Sequence, residues 1–273
     1  MSEHAQPIVL TRAGCPVHAW LSGPPVGPLV VLLHGATMNH GMFDAQVPAL
    51  VSAGYRVLAV DQRGHGRSRP IGQVPFSVPD LAEDTVALAE AVGHTRFSVV
   101  GQSMGGLVGQ DLLLRHPERV VSLVVIGASC ATARLTRWER WGLGSSTVVL
   151  RLWPMRHLAR VTARSIALTA PAQRFVQEAV ASLSKRDFLT IWRAVAHSMR
   201  EVPGYHVRHP LMLLCGEADR SGNVAASMRA WAARDPHADY RVVPDAAHNA
   251  NQDAPEVVNA AILEFLGRSD PAR

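Results

Sequence analysis

Gly101-Gln102-Ser103-Met104-Gly105-Gly106 restricts the fold of this chain more than any other segment, because it joins a strand to a helix with no room to spare. Residues 96–100 before it form a short run rich in β-branched residues, the pattern of a buried strand. Leu107, Val108, Leu112, Leu113 and Leu114 after it recur at helical spacing until Pro117 ends the pattern. A turn this sharp forces Ser103 into a strained conformation that lifts its hydroxyl clear of the chain. The residues two before and two after the serine then come close together, so small residues are needed at Gly101 and Gly105. The pattern is G-x-S-x-G, a nucleophile elbow in its required strand–turn–helix context.

Around this junction, short apolar strands alternate with amphipathic helices. Residues 8–11 and 17–21 read as an opening hairpin, 29–33 and 56–60 as strands, and 43–53 and 81–92 as helices, the second capped near Asp80. Residues 121–126, 210–215 and 240–243 are further strands. Residues 223–234 and 255–266 are helices, with Pro255 suited to a first turn. This alternation predicts a parallel sheet with helices on both faces. Residues 131–205 differ: they are helix-compatible, carry Trp138, Trp141, Trp153 and Trp192, and contain no clear strand. At 273 residues the chain accommodates one large α/β domain with an insertion or two small domains, and the insertion is the simpler reading. The boundaries are 1–130 and 206–273 for the core and 131–205 for the insert.

A serine hydroxyl at neutral pH needs a base, and the base needs a carboxylate to orient it. In a parallel sheet all three groups must come from loops at the carboxyl ends of strands. Of thirteen histidines, His248 follows the last strand at that edge. The acid is expected in the loop Gly216-Glu217-Ala218-Asp219, with Asp219 preferred and Glu217 and Asp245 as competitors. The loop after residues 121–126 reads Gly127-Ala128-Ser129-Cys130 and offers no carboxylate. The order Ser, Asp, His suits this sheet. Two backbone donors for an oxyanion are expected, the N–H of Met104 at the helix start and the N–H of Ala36 in His34-Gly35-Ala36-Thr37, where Thr37 adds a hydroxyl. The loop Asp61-Gln62-Arg63-Gly64-His65-Gly66-Arg67-Ser68 has neither a phosphate-cradling glycine order nor a Walker lysine. It reads as an ordered structural loop, with Asp61 and Arg63 paired or bonded to backbone and His65 structural as well.

Composition narrows the partners. Cys15, Cys130 and Cys215 are scattered thiols without metal-ligand spacing, and no cofactor or metal is expected. The net charge is +5, yet residues 131–205 hold twelve basic against four acidic residues, +8, which leaves −3 elsewhere. An arginine-rich composition explains this excess better than an anionic substrate or membrane surface, since Lys185 is the only lysine. No nucleic-acid motif accompanies it. No apolar run approaches the ~18 residues of a membrane span, and the start lacks a secretory signal, so a cytoplasmic protein is expected. A homodimer is compatible with the sequence and not required by it.

Taken together, His34-Gly35, the D-x-R-G-x-G-x-S loop at 61–68, the elbow at Ser103, Gly216-x-x-Asp219 and His248 resemble the α/β-hydrolase superfamily over nearly the whole chain. The resemblance implies an eight-stranded, mostly parallel sheet with a helical cap inserted after the sixth strand, here residues 131–205. It implies a Ser103–His248–Asp219 triad acting on a small ester or lactone, as in carboxylesterases and enol-lactonases, with Trp138, Trp141 and Trp192 lining the acyl pocket. Carbon–carbon bond hydrolases, cofactor-free perhydrolases and slow ligand-binding sensors of the fold share the same residues. Haloalkane dehalogenases and epoxide hydrolases of the fold use an aspartate where this chain has Ser103. Fold alone does not select the substrate.

Overall fold

Apolar runs that alternate between two buried faces need cover on both sides, and the chain provides it. The computed structural model describes residues 5–72, 76–134, 136 and 150–269. Among them, the strands β1 (Gln6–Arg12), β2 (Cys15–Ser22), β3 (Leu29–Leu33), β4 (Arg56–Asp61), β5 (Phe97–Gln102), β6 (Val120–Ile126), β7 (Leu211–Gly216) and β8 (Asp239–Val243) form one sheet. Its order is β1-β2-β4-β3-β5-β6-β7-β8. The opening hairpin pairs antiparallel, β2 joins β4 antiparallel, and every pairing from β4 through β8 is parallel.

The helices are α1 (Gln46–Ser52), α2 (Val78–Ala91), α3 (Met104–Arg115), α4 (Met155–Ile166), α5 (Ala170–Ala181), α6 (Lys185–His197), α7 (Val224–Arg234), α8 (Ala250–Asp253) and α9 (Pro255–Ser269). Val31 and Leu33 of β3 pack in one buried cluster with Leu81 of α2, Leu107 and Leu112 of α3 and Trp231 of α7. Val30 and Leu32 pack in the other with Leu50 of α1 and Val258, Ile262 and Phe265 of α9. Period-2 alternation thus feeds two layers, which is why the central strands read as unbroken apolar runs. Each fully buried side chain of this size contributes about 1.5–3 kcal/mol relative to exposure.

Between β6 and β7 the described residues contain the helices α4, α5 and α6 and no strand, as the composition of that stretch predicts. Leu158, Ala159, Val176 and Val180 bury toward the α1/α9 layer, and Ile191 and Ala194 toward the other. Trp138 and Trp141 lie outside the described residues, and Trp192 is half-buried on α6. The start of α2 differs from the reading at Asp80. Ser77 is the cap: its Oγ accepts the Asp80 N–H at 3.4 Å and donates to Asp80 Oδ2 at 2.5 Å. This Ser-x-x-Asp box, with Pro79 in the first turn, starts the helix three residues earlier and places Asp80 inside it. No helix among the described residues is long and apolar enough to cross a membrane.

Candidate active site

Because β3 through β8 run parallel, the loops that follow them emerge at one edge. The chain adds β4 on one side of β3 and then β5 on the other, so the loops after β3 and β5 diverge and open a crevice at their junction. Ser103 stands there, at the end of β5 and before α3. Its backbone has φ 49° and ψ −112°, and its N–H donates to Ile126 O at 2.8 Å. Serine at the head of a helix ordinarily turns its hydroxyl back to cap the first amides. Ser103 makes no such side-chain bond. The two glycines have separate tasks. A β-carbon on Gly101 would strike the Gly105 carbonyl, and one on Gly105 would strike the Leu33 carbonyl of β3. Absent side chains therefore let the elbow close and let α3 lie on the neighbouring strand.

His248 follows β8, and its Nδ1 lies 3.0 Å from Asp219 Oδ2 in the loop after β7. Both residues are 8 % exposed. Burial works to raise the Asp219 carboxyl, but the bonds from His248 and from the Ser221 N–H (2.8 Å to Oδ1) outweigh it and hold it below its ordinary value. The two competitors, Glu217 and Asp245, are exposed. The carboxylate-free loop after β6 has a different use. Gly127 adopts φ +58°, and a β-carbon there would sit 3.1 Å from His248 Nδ1, so the imidazole rests against bare backbone. Gln102, beside the serine, donates to His248 O at 3.1 Å and to Asn249 Oδ1 at 3.3 Å. Backbone bonds from Gly127 N to Leu214 O and from Glu217 N to Val243 O tie adjoining loops into one rim.

The loop after β3 completes the edge. A β-carbon on Gly35 would collide with Gln102 Oε1 and lie 3.3 Å from Ser103 Cβ, which sets the Gly35–Ala36 backbone directly beside the serine. Ala36 is half-buried. Met104 supplies the first amide of α3, where the helix dipole favours negative charge. Thr37 has φ +68°, and its N–H donates to His65 Nε2 at 3.0 Å. His65 Nδ1 in turn lies 3.0 Å from Arg63 O. His34 is arranged alike: Nε2 accepts the Gln62 N–H at 3.0 Å, and Nδ1 faces Gly35 O at 2.8 Å. Since a backbone N–H can only donate, both Nε2 atoms are unprotonated and both rings are neutral. Burial, the dominant effect, drives His34 down to about 4 and His65 to about 3. The 61–68 loop is thus a brace for the β3 loop. Asp61 accepts the backbone N–H groups of His40 and Arg67, whereas Arg63 bonds Asp84 of α2 at 2.9 and 2.7 Å.

The rim therefore brings together Ser103, His248, Asp219, Gly35–Ala36 and the head of α3. Gly127, Gln102 and the His65–Thr37 bond were not singled out from sequence as parts of the site. Gly127 did carry a signal, a glycine directly after a strand in a run of small residues.

A family model described as alpha/beta hydrolase fold matches residues 28–255. The chain is 40 % identical over 113 residues to "Putative carbamate hydrolase RutD" of Variovorax paradoxus, covering 41 % of this chain and 42 % of that protein. It is 38 % identical over 126 residues to Epoxide hydrolase B of Mycobacterium tuberculosis, covering 45 % and 35 %. It is 45 % identical over 109 residues to the pimeloyl-[acyl-carrier protein] methyl ester esterase of Aeromonas hydrophila, covering 40 % and 41 %. These alignments thus span less than half the length of each relative. A crystal structure of a hydrolase from Pseudomonas aeruginosa superposes with a TM-score of 0.83 at 25 % identity, covering 98 % of this chain and 100 % of that one.

Proposed function

We propose that this chain, which belongs to the α/β-hydrolase fold family, is a hydrolase that cleaves a carboxylic ester or lactone through an acyl-enzyme on Ser103. The observation that carries this reading is a serine whose hydroxyl caps nothing, held at φ 49° on the same sheet edge as a buried His248–Asp219 pair. In the first step the Ser103 Oγ–H proton passes to His248 Nε2 as Oγ adds to the carbonyl carbon. Asp219, ionised and bonded to Nδ1, fixes the tautomer and stabilises the imidazolium. The N–H groups of Ala36 and Met104 receive the oxyanion, each such donor being worth on the order of 10²–10³ in rate. His248 then protonates the departing alkoxide, and a water deprotonated by the same ring releases the acid and restores Ser103. The described helices α4–α6 between β6 and β7 serve as a cap over the substrate, to whose binding Thr37 and Trp192 contribute.

A serine at the elbow favours acyl transfer over epoxide opening, which in this fold employs a carboxylate nucleophile. The test is a fluorophosphonate probe followed by a panel of esters and lactones of graded acyl length. Wild type is expected to label once and to turn over at least one class, and Ser103→Ala to do neither. Turnover retained in Ser103→Ala, or wild-type ligand binding without turnover across the panel and with vinylogous diketones, would overturn the reading.

A further inference from the structure

We propose that Asp253 is a positioning residue that couples the α4–α5 junction of the insert to His248; this rests on His248 being the base proposed above. Asp253 ends the short helix α8, outside the constellation described so far. Its Oδ1 accepts the N–H of Leu168 (2.9 Å), the N–H of Thr169 (2.9 Å) and the Thr169 hydroxyl (3.1 Å). Its Oδ2 accepts the N–H of Ala247 at 3.0 Å and shares the Leu168 N–H at 3.1 Å. On the other side of the histidine, the N–H of Asn249 donates to Ile166 O at 2.9 Å. The 246–247 and 248–249 peptides that flank His248 are therefore both tied to residues 166–169 at the α4–α5 junction, the first through Asp253 and the second directly to the last residue of α4.

Each oxygen has its own role in this geometry. Oδ1 faces the insert, where Thr169 is the N-cap of α5 and negative charge is favoured by the helix dipole. Oδ2 reaches across to the base loop. Thr169 already caps α5 through its own hydroxyl, which accepts the Ala172 N–H at 3.4 Å. A carboxylate serving the helix alone would have no reason to hold Ala247. The His248 carbonyl is held from below by Gln102, adjoining Ser103. The base is thus suspended between the elbow and the insert, and movement of residues 166–169 at the α4–α5 junction is transmitted to the imidazole through two hydrogen-bonded peptides. Insert placement then acts on the chemical step itself, in addition to any shaping of the substrate pocket.

The experiment uses the full chain with Asp253→Ala and Asp253→Asn. It reads kcat and KM on a small acetyl ester, the fluorophosphonate labelling rate per folded molecule, and hydrogen exchange of peptides covering 164–170 and 244–250. A reacting group displaced by about 1 Å loses on the order of 10²-fold in rate. Asp253→Ala is expected to lower kcat and labelling together by roughly 10–100-fold with little change in KM, and to speed exchange in both peptides. Asp253→Asn keeps one acceptor oxygen and should fall between. Wild-type kcat in folded Asp253→Ala, or faster exchange in 164–170 alone, overturns the coupling. An effect confined to KM also overturns it, since that marks a purely structural role in the pocket. If wild type neither labels nor cleaves esters, the Ser103 reading fails, and the exchange data still decide the link: joint loss of protection upholds it and separate loss refutes it.

Discussion

Ser103 sits at φ 49° and ψ −112°, backbone space open to glycine and closed to most side chains. Holding a side chain there costs on the order of 1–3 kcal/mol, which the surrounding sheet edge must offset. This sets a stability test at the residue scale. Replacing an ordinary glycine by alanine stabilises a chain, but here the sign reverses: Ser103→Gly should be more stable than Ser103→Ala by about 1 kcal/mol, read as the difference in denaturant midpoint. Equal midpoints would mean the elbow carries no strain. Asp219 allows a test of activity. Asp219→Asn keeps the shape of the side chain but donates where it should accept, and turnover is expected to fall by about 10⁴ with the fold intact. Near-normal turnover would move the acid elsewhere.

At the scale of elements, the junctions between strands and helices hold most of the specificity. The box at Ser77 starts α2 well away from the rim, so Ser77→Ala should cost about 1 kcal/mol of stability and leave kcat unchanged. A fall in kcat beyond twofold would show that α2 reaches the site. Gly105 is the opposite case. A methyl group there meets the Leu33 carbonyl, so α3 must shift off β3, and Gly105→Ala should lose on the order of 3 kcal/mol or more together with labelling at Ser103. Elements also mark the boundary of what could be read in advance. The strands, the elbow helix and the final helix follow from local periodicity. From sequence, the α2 cap falls near Asp80, whereas the cap is Ser77, three positions earlier, whose hydroxyl bonds reciprocally with Asp80.

For the molecule as a whole, two neutral imidazoles buried under the rim tie stability to pH. His34 and His65 have folded-state values of about 4 and about 3, below the ~6.5 of an unfolded chain. A lowered folded value means that the unfolded state takes up the proton first. Their contribution is fully present above pH ~6.5 and is lost as pH falls from there toward 4. Each histidine gives a slope of about 1.4 kcal/mol per pH unit within that window. Asp219, held low by its bonds, adds a loss only below the ordinary carboxylate range. Denaturant unfolding between pH 7 and 4.5 should show the slope, and His65→Gln should remove about one proton's share of it. A flat profile in wild type would mean that the rings are solvated or already charged.

The sequence by itself determined the alternation of strands and helices, the serine at a strand–helix junction, and the strand ends from which a histidine and an aspartate must emerge. These are legible because local periodicity and turn chemistry act over a few residues. Only the tertiary structure decided the order of the sheet, in which β3 lies between β4 and β5. It also decided the choice of Asp219 over Glu217 and Asp245 as the partner of His248, the pairing of Arg63 with Asp84 rather than Asp61, and the bridge from Asp253 to Ala247 and Thr169. Each of these depends on groups far apart along the chain meeting within about 3 Å. A hydrogen bond of that kind leaves no periodic trace in sequence, because its partners are chosen by where the packed sheet delivers them.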